Sequence, residues 1–168
     1  MRSNIVLIGM PGSGKSTVGV ILAKLTERSF VDTDVLIQVS EGKSLQRIVD
    51  KEGYMALRAI EGRVLLELDC RNHVIATGGS SVYSHAAMEH LRKDGVIVFL
   101  DTPLATLESR IRNFVTRGLA KRPGQSLAEL FEERCPLYTR YAELIVTCER
   151  LTQDEVAAEV IDGIKAFV

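Results

Sequence analysis

The chain has 168 residues, 46% of them apolar, and a net charge of −1, which suits a single domain with one buried core. Acidic and basic residues nearly cancel, so no global field exists to gather nucleic acid or hold an anionic membrane surface. Cys70, Cys135 and Cys148 stand far apart and outside CxxC pairs, and His73, His85 and His90 have no Cys or acid at ligand spacing; neither a disulfide framework nor a zinc site is indicated, and the thiols read as small buried residues of a reduced, cytosolic protein.

The first predicted element is an apolar strand, Asn4 to Ile8, so neither a signal peptide nor a transmembrane span is expected at this end. It runs into Gly9-Met10-Pro11-Gly12-Ser13-Gly14-Lys15-Ser16-Thr17, a complete G-x-x-x-x-G-K-S pattern between a strand and a helix. Glycines there let the backbone fold into a nest of N–H groups at a helix N-terminus, which binds phosphate. Gly12, Ser13, Gly14, Lys15, Ser16 and Thr17 are therefore the expected triphosphate loop, with Lys15 reaching the terminal phosphates and the Ser16 hydroxyl on Mg²⁺. In the helix that follows, Val18, Ile21, Leu22 and Leu25 form the apolar stripe. A second strand, Ser29 to Val31, ends in Asp32-Thr33-Asp34, at the carboxyl end of a strand where open α/β sheets bind ligands. Two residues apart in an extended turn, the acids point to different sides. Asp32 can then hold Mg²⁺ through water while Asp34 faces an acceptor hydroxyl; helix capping is the competing use of either.

A longer amphipathic stretch is broken at Gly53 and carries Leu57, Ile60, Val64 and Leu68. On it Arg58 lies three residues before Glu61, so the carboxylate can orient the guanidinium. The third strand, His73 to Ala76, leads to Gly78-Gly79-Ser80, where two glycines allow close backbone approach to a ligand or make a simple turn. The fourth, Val96 to Leu100, ends at Asp101, a second candidate metal ligand, although Thr102-Pro103 beside it reads as a cap and first turn for a helix carrying Leu104, Leu107 and Ile111. From Asn113 to Gly124 the run NFVTRGLAKRPG is too irregular for a helix and too basic for a core strand. It is expected to be a mobile lid that excludes water and delivers Arg117 over the phosphates, with a solvated basic loop as the alternative. Capping boxes, Ser126 with Glu129 and Thr152 with Glu155, open the last two helices. Pro136 is expected to end or kink the first of these and turn Arg134 inward. Leu144 to Val146 is the fifth strand. Strands rich in Val, Ile and Leu that alternate with helices define an α/β protein with a parallel sheet covered on both faces.

In their order and spacing, GMPGSGKST, FVDTD, Arg58 with Glu61, IATGG, the lid arginine and ERCPLY with Tyr141-Ala142 resemble the shikimate kinase family over nearly the whole chain. The resemblance implies a three-layer P-loop kinase fold with a five-stranded parallel sheet in the order 2-3-1-4-5, formed by residues 1–168 as one domain. It implies transfer of the γ-phosphate of ATP to the 3-hydroxyl of shikimate, on the way to chorismate and the aromatic amino acids, with Mg²⁺ as cofactor. By the same resemblance Asp34, Arg58, Gly79 and Arg134 hold shikimate, with Gly78 and Ser80 in the same loop. Ser16 and, through water, Asp32 serve Mg²⁺. Arg117 closes over the nucleotide, Arg110 or Arg112 lies near the adenine, and Arg150 lies in the last nucleotide-contacting loop.

The residue types suit that chemistry, since two guanidinium forks match a carboxylate and an acid orients or deprotonates a hydroxyl. Two positions depart from the family pattern. Ser80 replaces the third of three glycines, where a side chain either crowds the acceptor or adds a hydrogen bond. The lid reads Arg117-Gly118-Leu119-Ala120 with a second Arg-Pro at Arg122-Pro123, so either arginine can serve; Arg117 is preferred because Arg122 to Ser126 reads as the lead-in to a helix. Another P-loop small-molecule kinase, gluconate- or nucleoside monophosphate-directed, and a nucleotide-binding module without catalysis are the competing readings. The expected partners are the two small substrates, without nucleic acid or membrane, and the balanced charge suits a monomer.

Overall fold

Every expected strand forms, and the sheet has the expected order. In the computed structural model, which describes residues 2–111 and 118–167, β1 (Asn4–Ile8), β2 (Ser29–Asp32), β3 (His73–Ala76), β4 (Gly95–Asp101) and β5 (Leu144–Thr147) run parallel in the order β2-β3-β1-β4-β5. β1 is central, with Val6 opposite Ile75 on one side and Ile97 on the other. Parallel neighbours cannot be joined by tight turns, so the connections cross the faces as helices.

Those helices are α1 (Lys15–Leu25), α2 (Thr33–Glu41), α3 (Leu45–Glu52), α4 (Tyr54–Glu67), α5 (His85–Asp94), α6 (Leu104–Arg110), α7 (Leu127–Tyr141) and α8 (Gln153–Ile164), with a short 3₁₀ turn at Ser81–Tyr83. Alternation along each strand divides the core into two layers. Ile5, Leu7, Val96, Val98 and Leu100 face Val18 and Leu22 of α1 and Val156, Ala157 and Val160 of α8. Val6, Ile8, Ile97 and Phe99 face Met88 and Leu91 of α5 and Leu130 and Tyr138 of α7. A smaller cluster of Ile37, Ile48, Leu57 and Val64 ties α2, α3 and α4 together at one end, where Ala120 packs on it.

Both capping boxes form, Ser126 with Glu129 and Thr152 with Glu155. Substituting Thr152 by alanine removes one acceptor from the first turn of α8, and is expected to cost about 1 kcal/mol. Equilibrium urea unfolding should show a lower midpoint with an unchanged slope.

Three local expectations are corrected. Thr102 does not cap α6: Pro103 holds the N-cap position with no side-chain hydrogen bond, and the buried Thr102 hydroxyl lies against the Cys148 thiol instead. Pro136 does not end its helix, because α7 continues to Tyr141. Arg134 points in because it shares a buried stripe with Leu127, Leu130, Tyr138 and Tyr141. On α1, Leu25 is exposed beyond the helix's contact with the sheet.

Candidate active site

The loop after β1 has the backbone that its glycines permit. Gly12 and Gly14 have φ of 82° and 91°, a region that residues with a Cβ avoid. A Cβ at Gly14 would also lie 2.7 Å from the Gln153 amide oxygen, which a side chain there would have to displace. The turn is closed by Ser13 N donating to Met10 O at 3.1 Å, and α1 starts with Val18 N donating to Gly14 O at 2.8 Å. Lys15 is buried and folds back over the loop, with Nζ donating to Gly9 O and Met10 O, both at 2.9 Å. Its neighbours Ser16 and Thr17 are exposed.

One cavity of about 370 Å³ runs from this loop to the carboxyl ends of β2 and β3. Gly12, Gly14, Lys15, Ser16 and Thr17 line its nucleotide end, together with Arg110, whose Nη1 donates to Gly12 O at 3.2 Å. Ser13 is buried beneath the loop. Arg150 is exposed in a left-handed turn at φ 61° and is not among the lining residues, whereas Gln153, three positions on, is. Gln153 was not expected; its only local sign is its place directly after a helix cap on the loop that faces Gly14. Arg112 and Arg117 lie outside the described residues.

The two acids after β2 diverge as expected, but Asp32 does two jobs. Its Oδ1 accepts from Asp34 N at 2.9 Å and caps α2, while its Oδ2 accepts from Ser16 Oγ at 2.5 Å. A hydroxyl and a carboxylate meeting beside the phosphate loop are hard oxygen donors of the kind Mg²⁺ takes. Asp101, at the end of β4, is not among the residues that line the cavity.

Asp34 lines the acceptor end with Glu61, Gly78, Gly79, Ser80 and Arg134. The glycines are needed for close approach. A Cβ on Gly78 would lie 2.7 Å from Asp34 Oδ1 and nearer still to Glu61 Oε1, and one on Gly79 would lie 2.8 Å from Arg134 Nη1. Gly79 O accepts from Tyr138 OH at 2.6 Å and Gly78 N donates to Thr33 Oγ1 at 3.1 Å, which fixes the turn against α7 and α2.

The expected pairing of Arg58 with Glu61 is not made. Ser80 Oγ donates to Glu61 Oε2, and Arg58 turns the other way, to Ala120 O at 3.3 Å and Glu133 at 3.6 Å. Its guanidinium lies 3.6 Å from the centroid of Tyr83. Glu133 also accepts from Tyr83 OH at 2.6 Å and from Gln125 at 2.7 Å, and these bonds, the tyrosine's first, hold its carboxyl below the usual range. Neither Tyr83 nor Glu133 was expected at the site; spacing on one helix cannot reveal partners supplied by others. Arg122 pairs with Glu133 at 3.3 Å just before α7. Arg134 reaches the same carbonyl as Arg58, donating to Ala120 O at 2.8 Å, so two guanidiniums converge on one oxygen.

Burial, with the Asp34 charge second, pushes the Glu61 carboxyl from 4.5 up to about 7. The folded chain therefore binds this proton more tightly than the unfolded chain. The stabilisation is complete below pH 4.5 and is lost as pH rises through 7. The difference in unfolding free energy between wild type and Glu61→Gln is expected to shrink, in the wild type's disfavour, by roughly 2–4 kcal/mol between acid and slightly alkaline pH. Urea titrations of both proteins across that range check it; parallel curves would show that Glu61 titrates normally.

The arrangement can bind a triphosphate at one end, orient or deprotonate a hydroxyl at Asp34, and hold an anion at Arg134. The family model for shikimate kinase matches residues 11–165. A shikimate kinase from a Sulfurihydrogenibium strain is 35% identical over 163 residues, 96% of this chain and 98% of that one. A solved shikimate kinase from Acinetobacter baumannii in complex with shikimate superposes with a TM-score of 0.90 at 32% identity, over 99% of this chain and 94% of that one. The Aquifex aeolicus shikimate kinase gives a TM-score of 0.82 at 34% identity, over 97% and 96%. With a matching family model over most of its length, these relatives, and the P-loop joined to an acid and an arginine in one cavity, the chain belongs to the shikimate kinase family.

Proposed function

We propose that this protein transfers the γ-phosphoryl group of ATP to the 3-hydroxyl of shikimate, giving shikimate 3-phosphate and ADP, in the cytoplasmic route to chorismate and the aromatic amino acids. The observation that carries the reading is the single cavity that joins the phosphate loop to Asp34 and Arg134. Phosphoryl transfer asks a protein for alignment and charge stabilisation more than for covalent chemistry, and the lining supplies both.

In this reading the loop amides from Gly12 to Thr17 cradle the phosphates and Lys15 leaves its carbonyl partners to meet the terminal ones. Asp34 takes the proton as the 3-oxygen bonds to phosphorus and the bond to the ADP oxygen breaks. Ser16, with Asp32 through water, would hold Mg²⁺, which supplies a Lewis acid for the charge on the phosphate oxygens. Arg110 stands by the base, with Arg150 in the loop beyond it, and Arg117 covers the phosphates. Gly78, Gly79 and Ser80 form the acceptor's floor.

The two arginines suit the acceptor's carboxylate. Arg58 does not line the cavity, but it shares the Ala120 carbonyl with Arg134. A carboxylate oxygen in place of that carbonyl receives both donors, in a site already flanked by two aromatic rings, Tyr54 and Tyr83. A coupled assay of ADP release with shikimate, gluconate and a nucleoside monophosphate tests the proposal. Turnover is expected with shikimate alone. Turnover only with another acceptor, or nucleotide binding with no turnover at all, would overturn it.

A further inference from the structure

Tyr83 closes the 3₁₀ turn after the acceptor loop and touches both arginines that reach the Ala120 carbonyl. The Arg58 guanidinium carbon stands 3.6 Å from the centroid of its ring. At that distance the cation lies over the ring face, because an in-plane approach would collide with the ring's own edge. The Tyr83 hydroxyl donates to Glu133 at 2.6 Å and accepts a long bond from Arg134 Nε at 3.4 Å. Tyr83 is not among the residues that line the cavity, so any part it takes in binding passes through a neighbour.

Arg58 is otherwise loosely held. Its Nε is buried and has no hydrogen-bond partner among the described residues. Nη1 meets the Met55 sulfur at 4.0 Å, and Nη2 lies 3.3 Å from Ala120 O and 3.6 Å from Glu133. Contacts of that length fix a long side chain poorly. Glu61, the acid on the same helix, accepts from Ser80 instead. The close contact is the ring, with Tyr54 of α4 a second and more distant one at 5.1 Å.

We propose that Tyr83 is a positioning residue for the acceptor's carboxylate: its ring face holds the Arg58 guanidinium in place and leaves the N–H groups to bond the substrate. The inference rests on shikimate being the acceptor and on its carboxylate meeting Arg58. A ring attracts a cation through its quadrupole and occupies no hydrogen-bond donor, whereas a carboxylate anchor such as Glu61 would take the same N–H fork that the substrate needs. The platform is firm. Tyr83 N donates to Ser80 O at 3.2 Å, and Val82 beside it is buried, so the ring is placed by the turn that shapes the acceptor loop. Burial, and after it the bond to Glu133, pushes the Tyr83 hydroxyl above its usual range, which keeps it a neutral donor anchored on α7.

Steady-state kinetics of wild type, Tyr83→Leu, Tyr83→Phe, Arg58→Ala and the double variant Tyr83→Leu with Arg58→Ala test it. Tyr83→Leu is expected to raise KM for shikimate about 5-fold to 30-fold, with kcat and KM for ATP within about twofold of wild type. Tyr83→Phe keeps the ring and should stay within about threefold of wild type in all three. Because Tyr83 acts through Arg58, the leucine should change kcat/KM for shikimate less than about twofold once Arg58 is alanine. An unchanged KM in Tyr83→Leu, a fall in kcat or in ATP binding alongside it, a phenylalanine variant as impaired as the leucine one, or a leucine effect that persists without Arg58 overturns the inference. If Tyr83→Leu does not fold, Tyr83→Met, nearer in length and also without a ring, takes its place under the same expectations. Absence of turnover with shikimate in wild type would instead sink the proposed function.

Discussion

Replacing Lys15 by alanine is expected to lower turnover by about 10²-fold to 10³-fold while leaving the protein folded. The ammonium sits among the main-chain carbonyls of Gly9 and Met10. Those carbonyls compete weakly with a phosphate, which carries full charge, so ATP is expected to draw Nζ off them and onto the transferring group. Alanine has nothing to move, and the charge that develops on the phosphate oxygens loses a donor held in a site shielded from water. The fold loses less. Two carbonyls at the cavity wall lose a donor, a cost of about 1–3 kcal/mol that water entering the emptied space reduces. Steady-state ADP release and circular dichroism on the same preparation separate the effects. Activity within about tenfold of wild type would remove Lys15 from the chemistry.

The phosphate loop was legible because main-chain geometry writes itself directly into sequence: the left-handed φ at Gly12 and Gly14 strongly favours glycine. The sheet was legible for a similar reason, since strands covered on both faces must be apolar throughout, as β1 and β4 are. What failed were inferences from spacing within one element. Arg58 and Glu61 lie close on α4, but a guanidinium and a carboxylate choose partners by the whole three-dimensional neighbourhood. Tyr83 and Glu133 offer Arg58 a ring face and an acid, and Ser80 takes Glu61. Pro136 shows the same limit. A proline inside a helix loses a hydrogen bond, yet α7 is held on both sides of it by buried residues, Leu130 before and Tyr138 and Tyr141 after, and that packing outweighs the local penalty. Thr102 failed in the opposite sense: it has a capping side chain, but the helix starts one residue too late for it to be used.

Substituting Arg134 by methionine is expected to raise KM for shikimate by about 10-fold to 100-fold, change kcat little, and leave the melting temperature unchanged or higher. Arg134 is 1% exposed, on the inward stripe of α7 where Leu130 and Tyr138 are its neighbours in the core. Its donors find one carbonyl, Ala120 O at 2.8 Å, and one hydroxyl, Tyr83 OH at 3.4 Å, and neither is charged. Burial works against its charge, but the Tyr138 and Tyr83 hydroxyls and the Glu61 carboxyl outweigh that cost and hold its pKa above the usual value; no carboxylate is hydrogen-bonded to it, and an unbranched apolar side chain of similar length fills the same space without needing those partners. Stability and binding therefore pull in opposite directions at this residue. If the guanidinium were there to hold α7 against the Ala120 segment, methionine would lower the melting temperature and leave KM alone. If it is there to meet a carboxylate that arrives with the substrate, methionine keeps the fold and loses the substrate. Calorimetry and steady-state kinetics on the one variant distinguish the cases, because a cation that only holds the fold shows in the melting temperature and one that meets the substrate shows in KM.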